Sequence, residues 1–507
     1  MEPVDHPGYR LLHEGQIALT YVEAAGMRVD VDYLNRMSKQ SKEEIAKLEH
    51  RLYETKQWTA WRQRYGDRAN LQSDVQLGVV LFEVLKYPVR QEDRTESGER
   101  FSTDATILER IKDPFIEDLL KLGKLQKAHG TYLKQIQREL VGDRIHPQFN
   151  LHIPVTYRSS SDTPNFQNIP IRDPEVSKLI RTGFIASDDC VLVESDLRGA
   201  EVVMATCYHR DPTMITYLKD RTKDMHRDMA AQLYLIPVEW VEEHGKLHRY
   251  GAKNKFVFPE FYNSFFMQCA PELWEWADQA KLQAPGGITL RQHLDREFPW
   301  GLGDCDTSKD PLPKVIDGTF VAHIQEVEDD FWHRRFKVYG QWKLDWYRLY
   351  LEKGYFETLT GFRIAGTMDR NQVINYPIQG SAFHCLLWIL IRLVKELRRR
   401  KMRSQVVGQI HDSIIADVRQ DELSEYLHIL QRIAVEDIRK EYTWLVVPLE
   451  IENEICPPNG SWYDKKPFDF KGQRFRISPE GEEDSRIFSN QWDFLSYLAA
   501  EHRTSHD

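Results

Sequence analysis

The sequence predicts an α+β protein in which one β-sheet is interrupted by a large helical subdomain. Three observations carry that expectation. Residues 11–60 and 105–140 repeat apolar side chains at helical spacing. Short apolar runs near 190–197, 355–368 and 405–418 read as buried strands. Between them, helical patterns fill 199–280 and resume up to 354. At 507 residues the chain is too long for one core, so several domains or subdomains are expected.

Taken in order, the first 140 residues read as a mostly helical arm. It opens with "LLHEGQIALTYVEAAG", and the "NLQS" of residues 70–73 caps an amphipathic helix over 74–85. "TESGERFST" (95–103) is a polar loop, "RIHPQFNLHIPVTY" (144–157) reads as β, and "RSSSDTPNFQNIP" (158–170) follows neither period. Residues 284–320, rich in Gly, Pro and Asp, look like a loop-bearing insertion. The run "CLLWILIRLV" (385–394) is short of a membrane span and is broken by Arg392, which predicts a buried helix.

Hydrophobic content of 41% and charged content of 29% match an ordinary soluble globular protein. Six scattered cysteines without a C-x-x-C pair argue against a zinc site or disulfide framework. They point to a reducing, cytoplasmic setting, and "MEPVDHPGYR" shows no secretory pattern. A net charge of −10 argues mildly against nucleic acid, but the charge of the binding face decides. Basic residues do cluster at 121–138 and 394–403, and acid gathers in "SPEGEEDSR" (478–486). Each basic cluster alone reads as a solvated helix face. No G-x-x-x-x-G-K-[ST] occurs, which disfavours a P-loop enzyme.

In "VGQIHDSIIADV" (407–418) two apolar runs turn on His411-Asp412, where hairpins usually use Asn-Gly or Asp-Gly. A second carboxylate, Asp196, ends the strand "CVLVESDL" (190–197). Two strand-borne aspartates meeting at one rim make a site for hard cations such as Mg²⁺. Two such ions would clamp the attacking and leaving oxygens of a phosphoryl transfer. Arg249 and Lys253 lie four apart in "HRYGAKNKFVFPEFYNS" (248–264), hence on one helix face suited to a triphosphate. The aromatics Phe256, Phe258, Phe261 and Tyr262 follow, a surface on which a base can stack.

With these residues the chain resembles the family A DNA polymerases, those similar to bacterial DNA polymerase I and its phage relatives, from about residue 11 to about 465. "TYRSSSDTPNFQNIP" resembles the stretch ending P-N-L-Q-N-I-P, "ESDLRGAE" motif A, and "RYGAKNKFVFPEFYNS" motif B. "NYPIQGSAF" (375–383) resembles the helix after motif B, "GQIHDSIIADV" motif C, and "VPLEIE" and "GSWYDK" the closing segments.

The resemblance implies a right hand. Residues 1–140 would contain the thumb, 141–210 and 355–470 the palm, and 211–354 the fingers, with 471–507 an extension of unknown role. Asp196 and Asp412, with the Leu197 carbonyl, would hold two Mg²⁺ ions, Mn²⁺ being a substitute. His226, Arg249 and Lys253 would grip the triphosphate, Lys253 serving as proton donor to pyrophosphate. Arg158, Gln379 and His411, with Asn165, Gln167, Asn168 and Asn375, would hold the primer-template. The basic face over 121–138 would track the duplex backbone. Glu201 beneath the sugar would exclude a 2′-hydroxyl; outside this context it reads as an ordinary helix-start acid.

Motif B departs from the pattern. Counted without a gap, Val257 and Phe261 fall in the functional places; with one extra residue, Phe258 and Tyr262 do. Pro259 predicts a bulged helix that supplies the extra residue, and Phe258 then implies discrimination against dideoxynucleotides. Ser413 stands where many relatives have Glu, and Val203 where Arg is common. The thumb-like pattern begins almost at Met1, leaving no room for a 3′–5′ exonuclease domain in this sequence; either the polymerase is naturally split, with a separate exonuclease subunit or other replication proteins as partners, or the sequence is a trimmed piece of a longer one. The expected activity is primer extension with deoxynucleoside triphosphates, for phage-like genome replication without proofreading. The rivals are a single-subunit RNA polymerase and an inactive DNA-binding accessory subunit.

Overall fold

The protein is seen in a computed structural model that describes residues 6–90, 93–95, 98–171, 173–477 and 486–504. The acidic run 478–486, apart from Arg486, and positions 96–97 of the polar loop lie outside the described residues.

Helix α1 (Pro7–Ala25) starts on a proline whose fixed φ suits the first helical turn. Its apolar face, Leu11, Ala18, Leu19 and Val22, joins the main core. Helices α2 (Val31–Tyr53) and α3 (Pro114–Lys127) instead frame a separate core containing Leu48, Trp61, Phe82, Phe115 and Leu122. The helical arm expected over the first 140 residues therefore divides: α1 belongs to the body, and the arm carries its own core. Periodicity reveals that a face is buried, not what covers it.

Helix α4 (Ala200–His209) follows the first long strand, and α5 (Met225–Tyr234), α6 (Lys246–Ala252), α7 (Phe266–Gln279), α8 (Phe320–Asp330) and α9 (Lys337–Lys353) build the helical insertion. The expected loop-bearing segment opens with a small hairpin pairing Gln283 with Thr289 and a helix over Leu290–Glu297 capped by Thr289 and Gln292. Helix α10 (Arg370–Arg399) is capped by Asp369, whose side chain accepts the Gln372 N–H at 2.8 Å. It is long and apolar enough to cross a membrane, contrary to the expectation from residues 385–394, yet 89% of its apolar window is buried inside the protein. It is a core helix. Pro377 lacks the N–H that would serve the Val373 carbonyl; the Trp346 indole N–H of α9 serves it instead, at 3.1 Å.

The main sheet has seven antiparallel strands among the described residues. They are β1 (Cys190–Leu197), β2 (Gln405–Ile410), β3 (Ser413–Arg419), β4 (Ile451–Ile455), β5 (Lys466–Lys471), β6 (Arg474–Ile477) and β7 (Arg486–Phe488), in spatial order β2-β3-β1-β4-β5-β6-β7. Val191, Leu192 and Val193 of β1 are buried on both faces, as a continuous apolar run requires. The tail beyond 465 extends this sheet, and helix α11 (Gln491–Thr504) packs Phe494 against Phe468 and Phe475.

Two close approaches fix the segment 151–168 over the sheet and α10. A Cβ on Gly408 of β2 would lie 2.6 Å from the Phe166 ring, and one on Gly380 of α10 would lie 2.7 Å from the Thr156 carbonyl oxygen. The second contact is with backbone and cannot yield by rotamer change. Gly380→Ala is expected to destabilise by about 1–3 kcal/mol, read as a lower urea midpoint; an unchanged midpoint would mean that this segment shifts freely.

Candidate active site

Asp196 stands near the end of β1 and Asp412 in the turn between β2 and β3. The register sets Ser413 opposite Asp196 on one side and Glu452 opposite it on the other. His411 adopts φ 49°, a left-handed conformation that an imidazole residue seldom takes. Tertiary bonds hold it. The Leu197 N–H donates to the Asp412 carbonyl at 3.2 Å, and the Gln409 amide donates to the His411 carbonyl at 2.7 Å. The Gln409 side-chain oxygen in turn accepts from the Ser159 hydroxyl at 2.6 Å and from the Gln167 amide at 2.7 Å. Gln409 is 1% exposed and Gln167 8%, so Gln167 braces this turn. Its amide N–H groups are bonded inside the protein. Asn165 and Asn168 remain exposed on the same loop.

Cations meet the carboxylates around Asp196, Arg198 pairing with Glu452 at 3.2 Å and Lys465 with Glu194 at 2.7 Å. Arg158 approaches Asp412 at 3.6 Å. Desolvation, then the charges of Asp412, Glu194 and Glu452, push the Asp196 carboxyl up to about 7. Glu201 is raised by burial and by Asp412, with Arg158 opposing. Burial and then Arg158 lower His411. Crowded carboxyl oxygens of this kind fit a hard divalent cation, which would relieve their repulsion. Among the described residues no group of three or more His, Cys, Asp or Glu is arranged to hold a metal. The aspartate pair thus matches an ion that completes its shell with carbonyl, water and substrate oxygens, as Mg²⁺ does.

The nucleotide-side residues gather around one ring. Lys253 Nζ lies 5.2 Å from the Phe258 ring centroid, and His226 meets that ring edge-on at 6.1 Å. Arg249 donates to Asp224 at 3.0 Å, and Asp224 also caps α5 through the His226 and Arg227 N–H groups. Burial first, then Lys253, drive His226 down to about 4, so its imidazole is neutral; its buried Nδ1 has no hydrogen-bond partner.

Motif B is distorted where Pro259 predicts it. Lys253–Val257 form a π-helical turn and Phe258–Phe261 a single α turn. Val257 and Phe261 are buried in the core, whereas Phe258 is half-buried and Tyr262 36% exposed. Phe258, Phe261 and Tyr262 line a small cavity with Glu201, Tyr339 and Asn375, Phe258 and Tyr262 being the more exposed. Asn375 of α10 lines this cavity, and Gln379 lies half-buried one turn further along the same helix. Of the basic face over 121–138, Lys121 pairs with Glu44 at 3.2 Å and Lys124 with Asp173 at 3.0 Å, while Lys127 and Lys134 are exposed.

Several residues of the site escape the sequence reading. Asp224 carries a local signal, an Asp two residues before His226 at a helix start. Gln409, Ser159 and Tyr339 carry none, since each gains its role from partners far away in the chain.

The profile of DNA polymerase family A matches residues 31–269 and 331–463; the unmatched interval 270–330 holds most of α7, the small hairpin and all of α8. The chain is 27% identical over 454 residues to DNA polymerase I of Lactococcus lactis subsp. lactis strain IL1403, covering 88% of this chain and 45% of that protein. It is 27% identical over 451 residues to thermostable DNA polymerase I of Thermus aquaticus, covering 86% and 46%. The chain thus spans about half the length of these curated relatives. Its fold is similar to the POL domain of Pol1 from M. smegmatis in complex with DNA primer-template and dNTP, with a TM-score of 0.66 at 23% identity over 90% of this chain and 70% of that one.

Proposed function

The chain belongs to DNA polymerase family A, and from that premise we propose that it adds deoxynucleotides to a primer 3′-OH under template direction. The observation that carries the reading is one continuous site. Asp196 and Asp412 crowd the sheet rim, Glu201 feels the charge of Asp412, and Glu201 shares a cavity with Phe258 and Tyr262 beside Lys253 and His226. The primer-template and dNTP in the M. smegmatis neighbour support the same ligands here.

Divalent cations held by Asp196, Asp412 and the Leu197 carbonyl, two Mg²⁺ or Mn²⁺ in their place, would supply Lewis-acid stabilisation of the phosphoryl group. The chain's own groups do the rest. Arg249, kept in place by Asp224, and Lys253 offset the triphosphate charge. His226, held neutral by burial, offers a hydrogen bond without adding charge. The primer 3′-hydroxyl gives its proton to water as its oxygen bonds to the α-phosphorus and the bond to pyrophosphate breaks, and Lys253 gives the leaving group a proton. Arg158 and His411 border Asp412 on the primer side. Glu201 closes the floor of the sugar pocket, which favours a DNA over an RNA polymerase.

The same reading extends to phage-type replication in the cytoplasm, on the strength of motifs that diverge from the family pattern. The test is extension of a labelled primer with Mg²⁺ and either deoxy- or ribonucleotides, beside a no-nucleotide lane. Extension by deoxynucleotides alone, without primer shortening, is expected. Ribonucleotide extension would favour the RNA polymerase reading, shortening would contradict the absence of proofreading, and tight DNA binding without extension would favour an accessory subunit.

Phe258→Tyr adds a hydroxyl beside the nucleotide sugar. It is expected to raise dideoxynucleotide use relative to deoxynucleotide use by roughly 10- to 100-fold, the worth of one buried hydrogen bond of about 1.4–3 kcal/mol. Competition between the two nucleotides in single additions reads the ratio, and an unchanged ratio would return Val257 to the functional place.

A further inference from the structure

Behind the bulged turn lies a buried polar cluster that the proposed chemistry does not use. Glu260 is 1% exposed, between Pro259 and Phe261. Its carboxyl accepts the Trp332 indole N–H at 2.8 Å, faces Cys269 Sγ at 3.6 Å, and is hydrogen-bonded to the Glu328 carboxyl. Glu328 also accepts the Phe266 N–H. Lys343 of α9, 4% exposed, donates to the Glu260 backbone carbonyl at 2.9 Å and lies 4.2 Å from the Trp332 ring centroid.

Two carboxyl groups can hydrogen-bond only if they share a proton. Burial, and then the charge of Glu328, push Glu260 up to about 9, so Glu260 is the protonated partner at neutral pH. Burial likewise lowers Lys343 to about 8, with Glu260 opposing the shift. Such a cluster is costly in a fingers core otherwise made of aromatics, and apolar replacement is often neutral or stabilising. Its retention calls for a role, and fixing a register is the best attested.

A register is what the neighbouring turn lacks. Phe258–Phe261 is one turn long, too short to hold itself, and Pro259 removes a donor from it. A rotation of about 100° about its axis, one residue's worth, would present Val257 and Phe261 in place of Phe258 and Tyr262. We propose that Glu260 and Lys343 are positioning residues for nucleotide selection: with Glu328 and Trp332 they lock the rotation of this turn, so that Phe258 and Tyr262 face the incoming nucleotide. The inference rests on the polymerase reading and adds to it a device built by side chains packed behind the turn, of which Glu328 lies in the unmatched interval.

The test measures single-nucleotide addition, between pH 7 and 10, by the full chain and by Glu260→Leu, Glu260→Gln and Lys343→Met. Glu260→Leu and Lys343→Met are expected to raise the deoxynucleotide KM about tenfold, with primer-template affinity unchanged. Glu260→Gln keeps a donor toward Glu328 and is expected to stay within about twofold of the parent. The groups facing Glu260 are Glu328 from α8, Cys269 from α7 and Lys343 from α9, with Asp329 beyond Glu328 and Arg370 of α10 beyond Lys343. Lys343 loses its charge over this range in both proteins, whereas only the parent also gains a buried negative charge at Glu260 in its alkaline part, so the parent's KM climbs more than that of Glu260→Gln. Unchanged KM in a folded Glu260→Leu overturns the proposal. Should that variant not fold, a Glu260→Gln profile superposing on the parent's overturns it instead. A parent that extends no primer at any pH refutes the polymerase reading itself, whereas a working parent with matching profiles sinks only the inference.

Discussion

Asp412→Ala loses primer extension by about 10³-fold or more, equivalent to about 4 kcal/mol of transition-state stabilisation. Asp412→Asn loses nearly as much. The asparagine preserves the size of the side chain, and the turn itself depends on main-chain bonds to Leu197 and Gln409 that neither substitution touches. Primer-template affinity is therefore expected to hold or rise, because the rim loses a negative charge facing the DNA phosphates. Single-turnover extension beside equilibrium DNA binding separates the two quantities. Asn activity within about tenfold of the parent would show that the charge of Asp412 is dispensable, and a carboxylate-based phosphoryl transfer would then be untenable.

Lys465→Met costs about 3–5 kcal/mol of folding stability, the price of leaving a buried carboxylate without its cation. Glu194 on β1 accepts from Lys465 at 2.7 Å, from the Trp462 indole at 2.8 Å and from the Ser413 hydroxyl at 3.2 Å. Lys465 holds Glu194 below its ordinary value of 4.5 despite burial, and the two glutamates Glu194 and Glu454 hold Lys465 above its ordinary 10.5. The lowered carboxyl contributes stability fully above pH 4.5 and loses it as pH falls through the folded value; the raised amine contributes fully below 10.5 and loses it as pH rises. The deficit of Lys465→Met is accordingly largest at neutral pH and shrinks in acid as Glu194 takes up a proton. Urea unfolding at pH 7 and pH 4 measures both, and Glu194→Gln combined with Lys465→Met should recover part of the loss. A deficit independent of pH would mean that the methionine acts through packing alone.

The legible part of the site was the part whose chemistry is local. Asp196 at a strand end, Asp412 in a turn, and Arg249 four residues before Lys253 are patterns that a few neighbouring residues define. The bulge was legible for the same reason, since Pro259 must disturb any helix that contains it. The bracing bond of Gln167 was not legible, because nothing nearby reveals that Gln409, 242 residues away, accepts its amide. Glu260 stayed silent for a like cause, its partners lying on α8 and α9. In the fold, α1 has the same periodicity whether it packs in an arm or in the body. Strands β5 and β6 did leave a trace, the alternation of Phe468 and Phe470 and then Phe475 and Ile477 around a Lys-Gly-Gln turn, which a strand template would have caught.

The order of the sheet has a further consequence, for colloidal behaviour. Its two outer margins are closed in different ways: α1 packs along β2, and the opposite margin ends in the three-residue β7, which opens with an arginine. Short, charged margins resist pairing with other chains. Without β5–β7, the strand carrying Glu452 next to Asp196 would itself become the margin, with a row of unpaired amides and carbonyls beside the carboxylates. The tail therefore keeps the most reactive strand neighbourhood of the molecule from acting as a template for self-association, which ties the solubility of the protein to the same sheet that positions its aspartates.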